Sequence, residues 1–140
     1  MSVDSSIPRL TRALEDDARF EAAILFGSAA AGALRPDSDV DVAVLYTNED
    51  ARRSVNDELV TVLGRLGLAG GRDVHLVDVE RADVELRRSV FARGRTLFDR
   101  GDGSRLRQLL ARTLQEYFDW EYARAVIDAA QRRRLEAARG

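Results

Sequence analysis

The sequence predicts an α/β (α+β) fold, a sheet covered by helices packed mainly on one face. Two observations carry that expectation. Short apolar runs alternate with longer runs of helical periodicity over short links, in the order α-β-α-β-α-β-α. One apolar run, "DVDVAVLYT" over residues 39–47, alternates with a period of two, as a half-buried strand does.

Each element has its own local reason. In "SSIPRLTRALEDDARF", Ile7, Leu10, Ala13 and Leu14 recur at helical spacing after a serine pair. "EAAILFG" reads as a short buried strand ending at Gly27, and Ser28 is expected to open a small helix through the alanines to Leu34. Arg35-Pro36-Asp37-Ser38 is turn chemistry. In the strand that follows, Asp39, Asp41, Ala43 and Leu45 share one face, and Val40, Val42, Val44 and Tyr46 the other. A helix from about Asp50 to Leu66 is expected to end at "GLAGG", and "RDVHLVDV" reads as a third strand. Residues 81–93 read as helix, "RTLFD" as a short strand, and residues 104 to about 134 as a helix, with or without a break, capped by Ser104.

Composition narrows the function classes. At 140 residues the chain suits one domain, with a core over about 5–100 and a C-terminal helical segment over about 104–137. A net charge of −2 gives no broad attraction to nucleic acid, so no direct nucleic-acid binding is expected. No apolar run reaches the roughly 20 residues of a membrane helix, and the absence of cysteine suits a reducing compartment. A soluble cytoplasmic protein is expected. All 22 basic residues are arginine, which excludes a Schiff-base lysine and the lysine of a P-loop. Phosphate chemistry here has to use a metal, backbone amides or arginine.

The densest chemistry lies in "LFGSAAAGALRPDSDVDVAVL", residues 25–45. Asp39 and Asp41, at i and i+2 of a strand, project together at a separation that one divalent cation can bridge. Alternatively, both acids sit at an exposed strand end and only bond a turn. A glycine at a strand end permits close backbone approach, and a helix opening at Ser28 would present free N–H groups to phosphate oxygens. Read alone, that serine is a helix cap. Taken together, the turn, the paired acids and the strand describe a site for a metal-bound nucleoside triphosphate.

Gly-Ser, ten residues, then Asp-Val-Asp running into an apolar strand resembles the signature of the DNA polymerase β nucleotidyltransferase superfamily, in particular its minimal nucleotidyltransferase (MNT) branch. The resemblance covers roughly two-thirds of the chain. It implies a mixed sheet, transfer of AMP from ATP with Mg²⁺, Asp39 and Asp41 as catalytic metal ligands, and Gly27 and Ser28 as nucleotide-binding residues. For many small members it also implies an antitoxin role beside a HEPN-domain ribonuclease toxin, a tyrosine of which receives the AMP.

Two positions depart from the family pattern. Where relatives carry a third acid in a stretch like "VDLVDL", this chain has "VHLVDV" over residues 74–79, which puts His75 at the matching position. Three readings are open: His75 acts in the site as base or ligand, Asp73 on the same strand face supplies the acid, or His75 is structural. Asp78 should point to the opposite face. Ala31 stands where relatives often have arginine, leaving Arg35 as the candidate for triphosphate charge.

"LLARTLQEYFDWEYARAVI" carries more apolar surface than one helix face can bury. It either wedges into the domain's own core or docks a partner. Relatives that modify small molecules generally add a helical domain to build the acceptor pocket, so a protein acceptor is favoured. A small-molecule nucleotidyltransferase and a catalytically weak antitoxin that neutralises by binding are the alternatives.

Overall fold

The computed structural model describes residues 5–33, 35 and 38–139. Helix α1 (Ser6–Glu15) leads into strand β1 (Phe20–Phe26) and, after a long turn, β2 (Val40–Tyr46). Helices α2 (Glu49–Asp57) and α3 (Leu59–Gly70) precede β3 (Val74–Asp78). Helix α4 (Val84–Arg93), β4 (Arg95–Asp99) and α5 (Ser104–Arg139) complete the order. The four strands form one mixed sheet in the order β3-β2-β1-β4, antiparallel except for the parallel β2–β3 pair.

Strand alternation sorts the core onto two faces. Val40, Val42, Val44 and Tyr46 pack with Phe20, Leu25, Leu10, Leu14, Val55, Val62 and Leu66 beneath α1, α2 and α3. Ala43 and Leu45 face the other way, with Ala22, Ile24, Val79, Val90 and Leu109, under α4 and the first turns of α5. Asp41 falls in the second phase, so β2 carries it on the less thickly covered side, while Asp39 stands one residue ahead of the strand.

The expected small helix from Ser28 is not formed. Residues 27–32 make a turn in which Ala31 N donates to Gly27 O (3.3 Å) and Ala33 N to Ser28 O (2.9 Å). Gly27 and Gly32 both take left-handed backbone angles, which interrupt a helix where the alanines would favour one. The expected helix end at Leu34 and the Pro36-Asp37 part of the expected turn lie outside the described residues.

The single helix expected over 50–66 is two. Asn48 caps α2 by accepting from Ala51 N (2.8 Å), and Glu58 then leaves helical angles where its carboxylate meets Arg19 (3.0 Å). "GLAGG" does not end α3 at Leu66 either. The helix runs on to Gly70, which packs against Leu10 of α1. Gly71, with φ 70°, makes the turn. Ser104 is the first residue of α5 and not its cap; Asp102 accepts its amide (2.9 Å).

Asp17 ties the α1–β1 corner to α3. Its buried carboxylate accepts from Arg19 Nη2 and Arg65 Nη2, both at 2.7 Å, and from Arg19 Nε at 2.9 Å. Those guanidiniums, Arg19 foremost, hold its pKa far below the ordinary 3.8 against the opposing effect of burial. A lowered acid pKa contributes stability at neutral pH that is lost as pH falls below that ordinary value. Asp17→Asn should therefore cost about 2 kcal/mol at pH 7. In urea denaturation the gap from the parent should narrow progressively below about pH 4.

Helix α5 is unbroken for 36 residues, about 54 Å. Its start is fastened to the sheet by Arg105, which donates to Tyr46 O (3.0 Å) and pairs with Glu21 (3.0 Å). Leu109 and Thr113 are buried, and Arg87 of α4 pairs with Glu116. Beyond that point Phe118, Tyr122, Val126 and Ile127 are 61%, 75%, 50% and 56% exposed. Among the described residues, the far half of α5 is thus not wedged into the domain's own core.

Candidate functional site

Asp41 sits where three strands meet: it pairs with Phe26 of β1 on one side and His75 of β3 on the other. This register puts the imidazole beside the carboxylate, with His75 Nδ1 3.1 Å from Asp41 Oδ1. On the β1 side the strand ends in Gly27, whose φ is 71°. A Cβ on Gly27 would overlap Asp41 Oδ2 and stand 3.3 Å from Asp41 Cγ. The glycine is needed twice, for its backbone angle and for the space the carboxylate fills.

Asp39 lies one residue ahead of the β2 ladder, solvent-exposed. Asp73 occupies the equivalent place ahead of β3, and its carbonyl accepts the Val40 amide (2.9 Å). Asp39 and Asp73 line one cleft, together with Ser38, Gly67, Leu68 and Arg72. Asp78 turns to the opposite face, where buried Arg52 holds it at 2.7 Å, so it does not reach Asp41's side. Arg52 also pairs with Glu49 and Glu80, and lies over the Tyr46 ring.

Ser28 is exposed at the crest of the turn. The turn's hydrogen bonds use the amides of Ala31, Gly32 and Ala33. Those of Ser28, Ala29 and Ala30 have no partner among the described residues, a row of donors of the kind that receives anions. The expectation of donors at this turn thus survives the loss of the helix that was to supply them. Arg35 is exposed and its guanidinium bonds nothing among the described residues; its backbone holds Ser38, by Arg35 N to Ser38 Oγ (3.2 Å) and Ser38 N to Arg35 O (3.0 Å).

The carboxylates of Asp39 and Asp41 suit a hard divalent cation by donor type. Among the described residues no group of three or more His, Cys, Asp or Glu side chains stands ready to hold a metal ion unaided. A cation here would take its remaining oxygens from phosphate and water, as magnesium commonly does.

Reasoning from sequence missed Arg72. It donates through Nη1 to Arg35 O and, at 3.3 Å, to Ser38 O, across 37 and 34 residues. No local pattern signals such a contact.

Asp41 near the start of an inner strand of a mixed sheet, against Gly27 and a turn whose first amides have no partner among the described residues, has the geometry a nucleotidyltransferase would use. The model of the family "Polymerase beta, Nucleotidyltransferase" matches residues 9–102, and the chain belongs to that family. Comparison with curated proteins finds no match. Among solved structures, one chain of a crystal structure of a toxin–antitoxin with AMP-PNP is 26% identical, with a TM-score of 0.63 over 91% of this chain and 98% of that one. A minimal nucleotidyltransferase is 27% identical, with a TM-score of 0.54 over 67% of this chain and 94% of that one. A structure of the tri-AMPylated Shewanella oneidensis HEPN toxin in complex with MNT antitoxin contains a chain 24% identical, with a TM-score of 0.62 over 93% of this chain and 99% of that one. At that identity the last adds the fold alone.

Proposed function

We propose that this protein is a cytoplasmic, Mg²⁺-dependent adenylyltransferase that moves AMP from ATP onto a hydroxyl, a tyrosine's, of a HEPN-domain toxin and so acts as its antitoxin. The whole chain works as one domain, with residues 5–100 as the catalytic core and the C-terminal helix as its extension. The observation that carries this reading is the meeting of Asp41 with His75 and Gly27 across three strands, at the head of a turn with free amides. The likeness to a toxin–antitoxin structure with AMP-PNP supports the choice of nucleotide and of partner.

In this reading the amides after Gly27, with the Ser28 hydroxyl, hold the triphosphate, and Arg35 offsets part of its charge. Asp39 and Asp41 hold Mg²⁺, which when bound offsets phosphate charge and makes the acceptor hydroxyl easier to deprotonate. The acceptor oxygen attacks the α-phosphorus, the bond from that phosphorus to the bridging oxygen breaks, and pyrophosphate leaves. His75 takes the hydroxyl proton while its contact with Asp41 holds the ring in place.

Removing that base should lower kcat by about 10²-fold in His75→Ala. His75→Asp, which keeps a proton acceptor at the position, should retain most of the activity. Full activity in the alanine variant would shift the role to Asp73.

The exposed face of α5 supplies the docking surface in the same reading. Phe118→Glu with Val126→Glu should weaken toxin binding at least tenfold, as loss of a buried aromatic anchor does, without changing the melting temperature of the chain alone. Calorimetric titration with the toxin checks the first statement, and thermal unfolding of the chain alone checks the second.

One observation favours a second reading, an antitoxin that neutralises by binding alone: the third acid of the family pattern is replaced by His75, and no cluster of three ligating side chains forms among the described residues. The deciding experiment is the intact mass of a HEPN toxin encoded beside this protein, after incubation with ATP, Mg²⁺ and this chain. Added adenylyl groups establish the enzyme. An unchanged mass with a tight complex establishes the binder.

A further inference from the structure

Asp39 has to be placed by its backbone, because its side chain is exposed and makes no hydrogen bond or ion pair among the described residues. Two anchors flank it, and both come from the pair of residues ahead of β3. On one side the Ser38 carbonyl accepts from Arg72 Nη1 at 3.3 Å. On the other, the Val40 amide donates to Asp73 O at 2.9 Å. The same Arg72 nitrogen donates to Arg35 O, which also accepts the Ser38 amide, so one guanidinium group grips both ends of the turn that delivers Asp39.

Arg72 is itself well fixed. Its amide donates to Gly67 O (3.2 Å), and Gly71 closes α3 immediately before it, so the last turn of α3 sets where the side chain starts. Arg72 lines the cleft that Asp39 and Asp73 also line, and its guanidinium is spent on the Arg35 and Ser38 carbonyls. A planar guanidinium also satisfies two carbonyls at once, which an ammonium on a flexible stem does poorly.

We propose that Arg72 is the positioning residue for Asp39: it clamps the carbonyls of Arg35 and Ser38 so that the Asp39 carboxylate is held where a metal-bound nucleotide meets it. The inference rests on the reading of Asp39 as a metal ligand given above. It assigns Arg72 no contact with the reacting atoms.

The test uses the full-length chain and two readouts. In hydrogen exchange without nucleotide, Arg72→Ala should expose the Ser38 and Val40 amides at least tenfold more, with the amides of α1 and α4 unchanged. In calorimetry, its Kd for Mg²⁺ with AMP-PNP should rise at least tenfold, and Arg72→Lys should recover part of the loss. Unchanged exchange at Ser38 and Val40, or an unchanged Kd in Arg72→Ala while the parent binds, overturns the inference alone. Faster exchange throughout the domain overturns it too, since Arg72 would then be a general structural residue. A parent chain that itself fails to bind Mg²⁺ with AMP-PNP overturns the adenylyltransferase reading, and this inference with it.

Discussion

If the protein is an adenylyltransferase as proposed, replacing Asp39 and Asp41 together with alanine should abolish adenylyl transfer, by at least 10³-fold in kcat/KM, and leave the protein folded. A loss of that size is about 4 kcal/mol of transition-state stabilisation, a reasonable share for two carboxylates proposed to hold a charge-neutralising cation. The unusual half of this expectation is that stability does not fall. Asp39 is exposed and bonds nothing among the described residues, while Asp41, about a third exposed, contacts His75. Two neighbouring carboxylates also repel in the absence of a cation, so their removal should leave the melting temperature unchanged or raise it slightly. The single variants Asp39→Asn and Asp41→Asn separate the two roles, since each keeps the shape and loses the charge. Mass spectrometry of the acceptor, with thermal unfolding of the same samples, checks both halves. A variant that keeps transfer would remove the aspartates from the mechanism.

Gly27→Val is the second large effect, and it acts on stability and activity together. A β-branched residue at φ 71° is strained by its own backbone, at a cost of about 1–2 kcal/mol. The added side chain also enters the space of Asp41 Oδ2, and that carboxylate has to swing away. A misplaced group in a catalytic constellation commonly costs about 10² in rate, so kcat should fall by at least that much. Gly27→Ala shares both causes, the backbone angle and the Cβ against Asp41, and leaves out only the further bulk of valine, so its losses should be smaller but of the same kinds. Urea denaturation gives the stability term. The dependence of rate on Mg²⁺ concentration gives the carboxylate term, since a displaced Asp41 should raise the Mg²⁺ requirement.

The same geometry explains how much was legible beforehand. A period of two along β2 determined that Asp41 shares a face with Ala43 and Leu45, opposite Val40, Val42 and Val44. It also put Asp78 on the face opposite Asp41, where Arg52 now holds it. Local rules failed where neighbours outvoted them. An alanine-rich run after Ser28 favours helix by propensity, yet the turn follows two left-handed glycines. Gly67 and Gly70 read as the end of the helix but lie within α3, the last of them against Leu10 of α1. Ala51, Val55, Leu59, Val62 and Leu66 recur at helical spacing across the break at Glu58, which sits where that carboxylate meets Arg19 from the α1–β1 corner.

What the sequence by itself determined is whatever depends on spacing along the chain: the strand that carries the acids, the glycine-serine turn ten residues before it, the mixed order of elements, and the surplus of apolar residues in the last helix. The tertiary structure alone decided which distant groups meet. It brought His75 against Asp41 through strand register, sent Arg72 to the carbonyls of Arg35 and Ser38, and left Phe118, Tyr122 and Val126 uncovered once α5 ran past the end of α4. The physical reason is the range of the interactions. Periodicity and turn preference act over a few residues, whereas a hydrogen bond across 34 residues depends on how the sheet and α3 pack together.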